Sequence, residues 1–304
     1  MAVIVNFNFP REIRSAQPRR LVRSSDGDTT VIEQPIRMVS CDTPEKSGYA
    51  GKPEVSQPKL DKCRQRLQGG FYNALPQALR NYLVARLTNT AAQRHIEAGE
   101  RASEAFGQLL ATRLTRPNGT TRSVATIPTG EIIDSHGRML AYIAPWFTGS
   151  QSDPLPPPND PGRRTLNLDM IATGWAAFFP IYPSLPKNSD MNVAIAEAQA
   201  AWDGNRGAWT LPSGRNLLLG YEYRMCIKLG EVKKDAAGTI VPDQNLNPRD
   251  FIDEAFQRSC VNLQTMAEVG LFGFHAVPPW ARLWFWWTDR KLARQHLGLP
   301  AVND

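Results

Sequence analysis

The sequence has no CxxC pair. Its four cysteines, Cys41, Cys63, Cys226 and Cys260, stand far apart, so neither a zinc site nor a compact disulfide framework is written here, and free thiols of a reducing compartment are the plain reading. It also lacks an apolar run of the ~18 residues that a membrane-crossing helix needs. The most apolar tract, 271–287, is broken by His275, Pro278, Pro279 and Arg282. The opening stretch MAVIVNFNFPREIRS has no basic lead-in and no small-residue cleavage pattern, unlike a secretion signal, and the expected location is cytoplasmic. Acidic residues are in the minority: Asp and Glu number 29 against 35 Lys and Arg, a formal charge of +6 over 304 residues. That balance inclines the chain to polyanionic partners without singling one out.

Residues 18–45 carry short apolar runs split by Ser-Asp-Gly-Asp and Glu-Gln-Pro, which predicts a small β-meander with tight turns. From 58 to 115 the period changes to about 3.6. Leu60, Cys63 and Leu67 form one stripe, and Leu75, Leu79, Leu83 and Leu87 another, with Gly69-Gly70 between them. A further helix is expected over 99–114, ending before Pro117-Asn118-Gly119, and 123–147 reads as two strands around a turn. The tract 148–164 is rich in Pro, Ser, Asp and Gly, so an exposed, mobile loop is expected there. Near the C-terminus Asn247-Pro248 should open a helix with Ile252, Phe256, Cys260, Leu263 and Ala267 on one face, closed by Gly270.

Three local motifs bear on chemistry: Asp26-Gly27-Asp28-Thr29; Arg37 followed by Asp42-Thr43-Pro44-Glu45; and Asp134-Ser135-His136-Gly137-Arg138. Taken singly each is a turn. Asp-Gly between β-like runs makes hairpins, Asp-Thr-Pro-Glu suits a helix entry, and His-Gly-Arg suits a turn with a solvated arginine. Taken together they hold what phosphodiester hydrolysis needs: oxygens for a hard cation, a base to activate water, and guanidiniums to meet the charge gathering on phosphate. Asp28 and Asp42, with the Thr43 carbonyl, are the candidate metal ligands. Glu45 is the candidate base, and Arg37 and Arg138 offer bidentate forks.

In this order the motifs resemble the staphylococcal nuclease, or thermonuclease-like, family over residues 19–209. The resemblance implies an α+β fold, an OB-fold β-barrel packed with helices. Here it would carry a helical insertion over about 46–98 after the third strand and a mainly helical C-terminal extension. Residues 1–215 would then be the family-like domain and 216–304 a separate extension. Position by position, the resemblance makes Asp28, Asp42 and Thr43 a Ca²⁺ site, Arg37 and Arg138 the catalytic arginines and Glu45 the catalytic glutamate. It further implies cleavage of DNA or RNA, single-stranded or frayed, to 5′-hydroxyl and 3′-phosphate ends. The stretch 168–182 resembles the strand and helix after the family's active site, and 197–209 its closing segment.

The chain departs from the family at His136, where a tyrosine is usual, at Ser135, where a basic residue is usual, and at Pro180, where a ring-bearing residue stands. These positions touch nucleotide, so His136 and Tyr182 are candidate nucleic-acid contacts, with a bare turn as the other reading of His136. Within 57–95 seven basic residues, Lys59, Lys62, Arg64, Arg66, Arg80, Arg86 and Arg94, face one acid, Asp61. They form either an electrostatic clamp on the strand, with Arg64, Arg66 and Arg80 as contacts, or the solvated outer face of a helical hairpin. Trp280, Trp284 and Trp287, at helical spacing, suit packing onto the barrel better than stacking on bases. Two alternatives to a nuclease stay open: a non-catalytic nucleic-acid-binding module on the same fold, and an effector whose extension docks a regulatory protein.

Overall fold

Short apolar runs interrupted by Asp-Gly and Gln-Pro cannot sustain a long strand, and the first described segment is accordingly broken into pieces. The computed structural model describes residues 19–211 and 214–300; the N-terminal stretch 1–15, on which the reading of location rests, lies outside them. Strands β1 (Leu21–Ser24) and β2 (Thr30–Ile32) form an antiparallel hairpin. The expected meander stops there. β3 (Ile36–Met38) and β4 (Ser40–Asp42) each leave for a different sheet, because Ser40 sits at φ 58, a left-handed turn that breaks the strand between them.

Helices α1 (Ser47–Ala50), α2 (Pro53–Gln68), α3 (Gln77–Arg86) and α4 (Ala91–Leu114) follow. Leu60, Cys63, Leu67, Leu75, Leu79, Leu83 and Leu87 are all at most 2% exposed, so both predicted stripes are core. Truncating any of these leucines to alanine would cost about 2–5 kcal/mol. α4 starts eight positions before the expected Gly99, since Ala91, Ala92, His95, Ile96 and Ala98 already continue its buried face. The expected insertion boundary therefore falls inside a helix.

β5 (Val124–Ile133) and β6 (Met139–Pro145) pair antiparallel around the 134–138 turn as predicted, and β3 joins β6 in parallel to give the order β3-β6-β5. The Pro-rich loop that follows is tied down rather than free. Buried Asp153 takes Arg122 at 2.9 Å and Arg116 at 3.4 Å. Then come α5 (Leu166–Ala172), β7 (Ala177–Phe179), β8 (Ile181–Tyr182) and α6 (Asn188–Asp203), with β7 pairing β4.

The C-terminal part adds α7 (Gly220–Leu229), α8 (Pro248–Ala255), β9 (Arg258–Asn262), β10 (Ala267–Gly270), β11 (Arg282–Trp286) and α9 (Arg290–His296). The helix expected through to Gly270 ends at Ala255. Ser259, Cys260 and Val261 are buried in succession, which a one-sided helix cannot achieve and a sheet covered on both faces can. The tryptophan tract is corrected in the same way. Leu283, Trp284 and Phe285 are consecutive buried residues of the inner strand β11 in the order β10-β9-β11-β8, while Trp287 is 46% exposed.

The segment after 215 does not stand apart. Tyr221, Cys226, Leu229, Cys260 and Trp284 share one hydrophobic core with Leu60, Cys63 and Leu79. The architecture is α+β with four small sheets, and among the described residues none closes into a barrel. No helix among them is long and apolar enough to cross a membrane. All four cysteines are free and buried.

Candidate functional site

Strand breaks and helix starts deliver charged side chains to one place. A cavity of about 670 Å³ is walled by Arg37 and Ser40 from β3 and β4, Glu45 before α1, Asp134, Ser135, His136 and Arg138 from the β5–β6 turn, Tyr182 from β8, Arg224 and Lys228 from α7, and Arg258 from β9. Trp284 and Trp286 of β11 complete an aromatic side.

The β5–β6 turn is built by its own aspartate. Asp134 Oδ1 accepts the backbone N–H of His136 and of Arg138, each at 2.9 Å, which folds the turn locally and leaves Gly137 at φ 74. Asp134 Oδ2 accepts from Arg138 Nε at 2.8 Å and Nη2 at 2.7 Å, so Arg138 rests on the turn's own carboxylate. Burial alone would raise the Asp134 carboxyl, but these N–H donors and the Arg138 charge hold it below its ordinary value. His136 is exposed on the turn and lines the cavity.

Glu45 is set by α4. Its backbone N–H donates to His95 Nε2 at 2.8 Å, while His95 Nδ1 faces the Leu218 carbonyl at 3.0 Å, so the proton of the neutral ring sits on Nδ1. The ring is fully buried and stacks on Tyr223 at 3.9 Å, and burial drives the His95 pKa down to about 3. Gly99 allows the close approach, since a Cβ there would lie 2.5 Å from the Glu45 carbonyl oxygen.

Asp42 is only 2% exposed and lies behind the cavity wall. Its Oδ1 accepts from Arg37 at 3.0 Å, and Arg224 donates to both of its oxygens at 3.1 and 3.0 Å. Arg224 also donates to Glu45 Oε1, joining the two acids through one guanidinium. Burial would raise the Asp42 carboxyl, yet Arg224 and then Arg37 outweigh it and hold the group below its usual range. Burial likewise opposes the charge on Arg224, and Asp42 and Glu45 more than restore it.

The residues for which the resemblance implies a Ca²⁺ site do not fit a metal ion as arranged. Asp28 is exposed on the β1–β2 turn, accepting from Thr29 Oγ1 at 3.2 Å, and does not line the cavity. Asp42 Oδ2 and the Thr43 carbonyl face the first residue of α7, where a Cβ on Gly220 would come within 2.6 and 2.5 Å of them. No group of three metal-binding side chains exists among the described residues.

Of the two readings of the basic helices, the clamp finds no place on this cavity. None of its seven residues lines the cavity. Arg66 is 2% exposed, with Asp243 on Nη2 at 2.9 Å and the Leu229 and Glu231 carbonyls on Nη1 at 2.8 and 2.9 Å, so it fastens α2 to the C-terminal part instead of meeting a strand. Lys59 pairs with Glu231 and Lys62 with Asp243. Arg64 is exposed on α2, and Arg80 is spent on Asn73 and Gln77 of its own neighbourhood. Tyr182 does line the cavity, buried, with its hydroxyl 2.6 Å from His296 Nδ1.

Arg224, Lys228, Arg258 and His95 belong to the site without having been singled out from the sequence. Arg224 and Lys228 are one helical turn apart on a helix otherwise apolar at Tyr221, Cys226 and Leu229, a pattern that flags a cationic face. His95 and Arg258 carry no local signal. Compared with known proteins, the chain is matched by no family model, no curated protein and no solved structure.

Proposed function

We propose that this protein is a nucleic-acid phosphodiesterase of the thermonuclease-like kind, cutting DNA or RNA to leave 5′-hydroxyl and 3′-phosphate ends. One observation carries the reading: Arg37, Glu45 and Arg138, drawn from three separate segments, line a single cavity. The parallel pairing of β3 with β6, which sets Arg37 against Leu140, two residues past Arg138, supports kinship with an opened OB barrel.

In this reading a single or frayed strand enters the cavity and its phosphate oxygens exchange onto the forks of Arg37 and Arg138. Glu45 takes a proton from water as the water oxygen bonds to phosphorus. The P–O5′ bond breaks on the opposite side, and the 5′-oxygen recovers a proton from solvent. The two guanidiniums meet the charge that builds on the phosphate oxygens in the transition state. Both Asp42 oxygens that the resemblance would offer to Ca²⁺ already accept from arginines.

Digestion of single-stranded DNA, plasmid and RNA, in Ca²⁺, Mg²⁺ or EDTA, tests the reading. Glu45→Gln and Arg138→Ala should each lower cleavage by about 100-fold or more. Activity untouched by either substitution removes the assignment. The Arg224 bridge between Asp42 and Glu45 favours one second reading, a strand-binding module without turnover. Tight strand binding with no cleavage in any of the three conditions would select it.

A further inference from the structure

Among the described residues, each arginine or lysine on the cavity wall but one has a partner. Arg37 has Asp42, Arg138 has Asp134, Arg224 has Asp42 and Glu45, and the Lys228 ammonium donates to the Glu254 carbonyl at 3.0 Å. Arg258 is different. Among the described residues its guanidinium has neither an ion pair nor a hydrogen bond, and its Nε is shielded from solvent without an acceptor.

The surroundings make that omission costly. Arg258 opens β9 opposite Trp286 of β11, and its guanidinium lies 3.9 Å from the Trp286 ring centre and 5.9 Å from that of Phe179. Stacking recovers part of the lost hydration but leaves the Nε–H without an acceptor, while the two Nη groups stay open to solvent. Burial first, and then Arg224 and Arg37, push the Arg258 pKa down to about 10, far enough above neutrality that the charge is retained. Burial, Arg258 and Arg224 also lower the neighbouring Lys228. A half-buried guanidinium with an unserved Nε–H, set beside other cations, is completed by an anion.

We propose that Arg258, with Lys228, is an oxyanion-binding subsite for a phosphate of the bound strand, contributed by the C-terminal part of the chain to the cavity holding Arg37 and Arg138. The guanidinium over the Trp286 ring is a planar fork with its donors on its edge, the geometry that two phosphate oxygens match. This deepens the phosphodiesterase reading and rests on it only for the identity of the ligand as nucleic acid; the anion site itself does not need turnover.

Inorganic phosphate is the first probe, titrated into the full-length protein by calorimetry and by thermal unfolding. The wild type should bind phosphate and gain Tm with it. Arg258→Gln should raise the Tm in the absence of phosphate, by removing the unpaired charge, and should weaken phosphate binding about tenfold or more. Arg258→Lys should keep part of the binding. A single-stranded oligonucleotide, followed by anisotropy, should lose affinity in the same order. Phosphate affinity equal in wild type and Arg258→Gln overturns the proposal, as does a wild type that binds no phosphate. Phosphate binding through Arg258 in a protein that cleaves nothing keeps the subsite and sinks the phosphodiesterase reading. Cleavage with unchanged KM in Arg258→Gln does the reverse.

Discussion

The guanidinium of Arg224 donates to both carboxylate oxygens of Asp42, at 3.1 and 3.0 Å, from a helix 182 positions away in the chain. It takes up both oxygens of a carboxylate that the resemblance assigns to a divalent ion. Removing it as Arg224→Ala leaves a buried carboxylate with Arg37 alone, which should cost about 3 kcal/mol or more. Millimolar CaCl₂ should then raise the Tm of the variant, by binding the released carboxylates, and leave that of the wild type unchanged. Melting curves followed by circular dichroism decide this, and an equal Ca²⁺ shift in both proteins would show that Arg224 does not compete with the ion.

Gly220 permits the contact between the start of α7 and the Asp42–Thr43 segment. An added methyl would meet the Thr43 carbonyl at 2.5 Å and Asp42 Oδ2 at 2.6 Å, neither of them the free end of a flexible chain. Gly220→Ala should therefore destabilise the fold by about 1–3 kcal/mol and loosen the Arg224 bridge, despite the better helix propensity of alanine. Denaturant unfolding measures the first effect. Stability equal to or above wild type would mean that α7 can move away freely.

His95 makes the stability depend on pH. The folded ring has its pKa at about 3 against an ordinary 6.5, so between those values the unfolded chain holds a proton that the folded chain does not. Stability contributed by the neutral ring is thus complete above pH 6.5 and is lost as pH falls toward 3, on the order of 5 kcal/mol over the window. His95→Gln should flatten that part of the profile in urea titrations between pH 6.5 and 4. A profile of unchanged slope would mean that the carboxylates alone set the acid limb.

Arg64 and Arg80 decide between the two readings of the basic helices. Since both lie off the cavity wall, the double reversal Arg64→Glu with Arg80→Glu should leave the salt dependence of oligonucleotide binding unaltered. Each phosphate contact genuinely lost would reduce the slope by about 0.7–0.9. A fall of that size would restore these helices to the binding surface.

Some of this was readable from residue order. The stripes of α2 and α3 appear as leucines at helical spacing, because a helix buried on one side has to repeat its apolar positions about every 3.6 residues. The β5–β6 turn is visible in Asp134-Ser135-His136-Gly137-Arg138, where a short acceptor and a glycine sit at the offsets a tight turn requires. The tract from Phe256 to Gly270 misled for the opposite reason. A strand covered on both faces shows no alternation, and its apolar residues coincide by chance with a helical stripe.

By itself, then, residue order determined the local matters: which segments coil, where they turn, and which short stretches carry Arg37, Glu45 and Arg138. Only the tertiary structure decided which charges meet. Arg224 reaches Asp42, Arg66 reaches Asp243 and Arg258 reaches no acid among the described residues, and each outcome depends on how α2, α7 and β9 share one core. Pairing of side chains some 180 positions apart is set by packing of the intervening elements, and no short-range pattern encodes it.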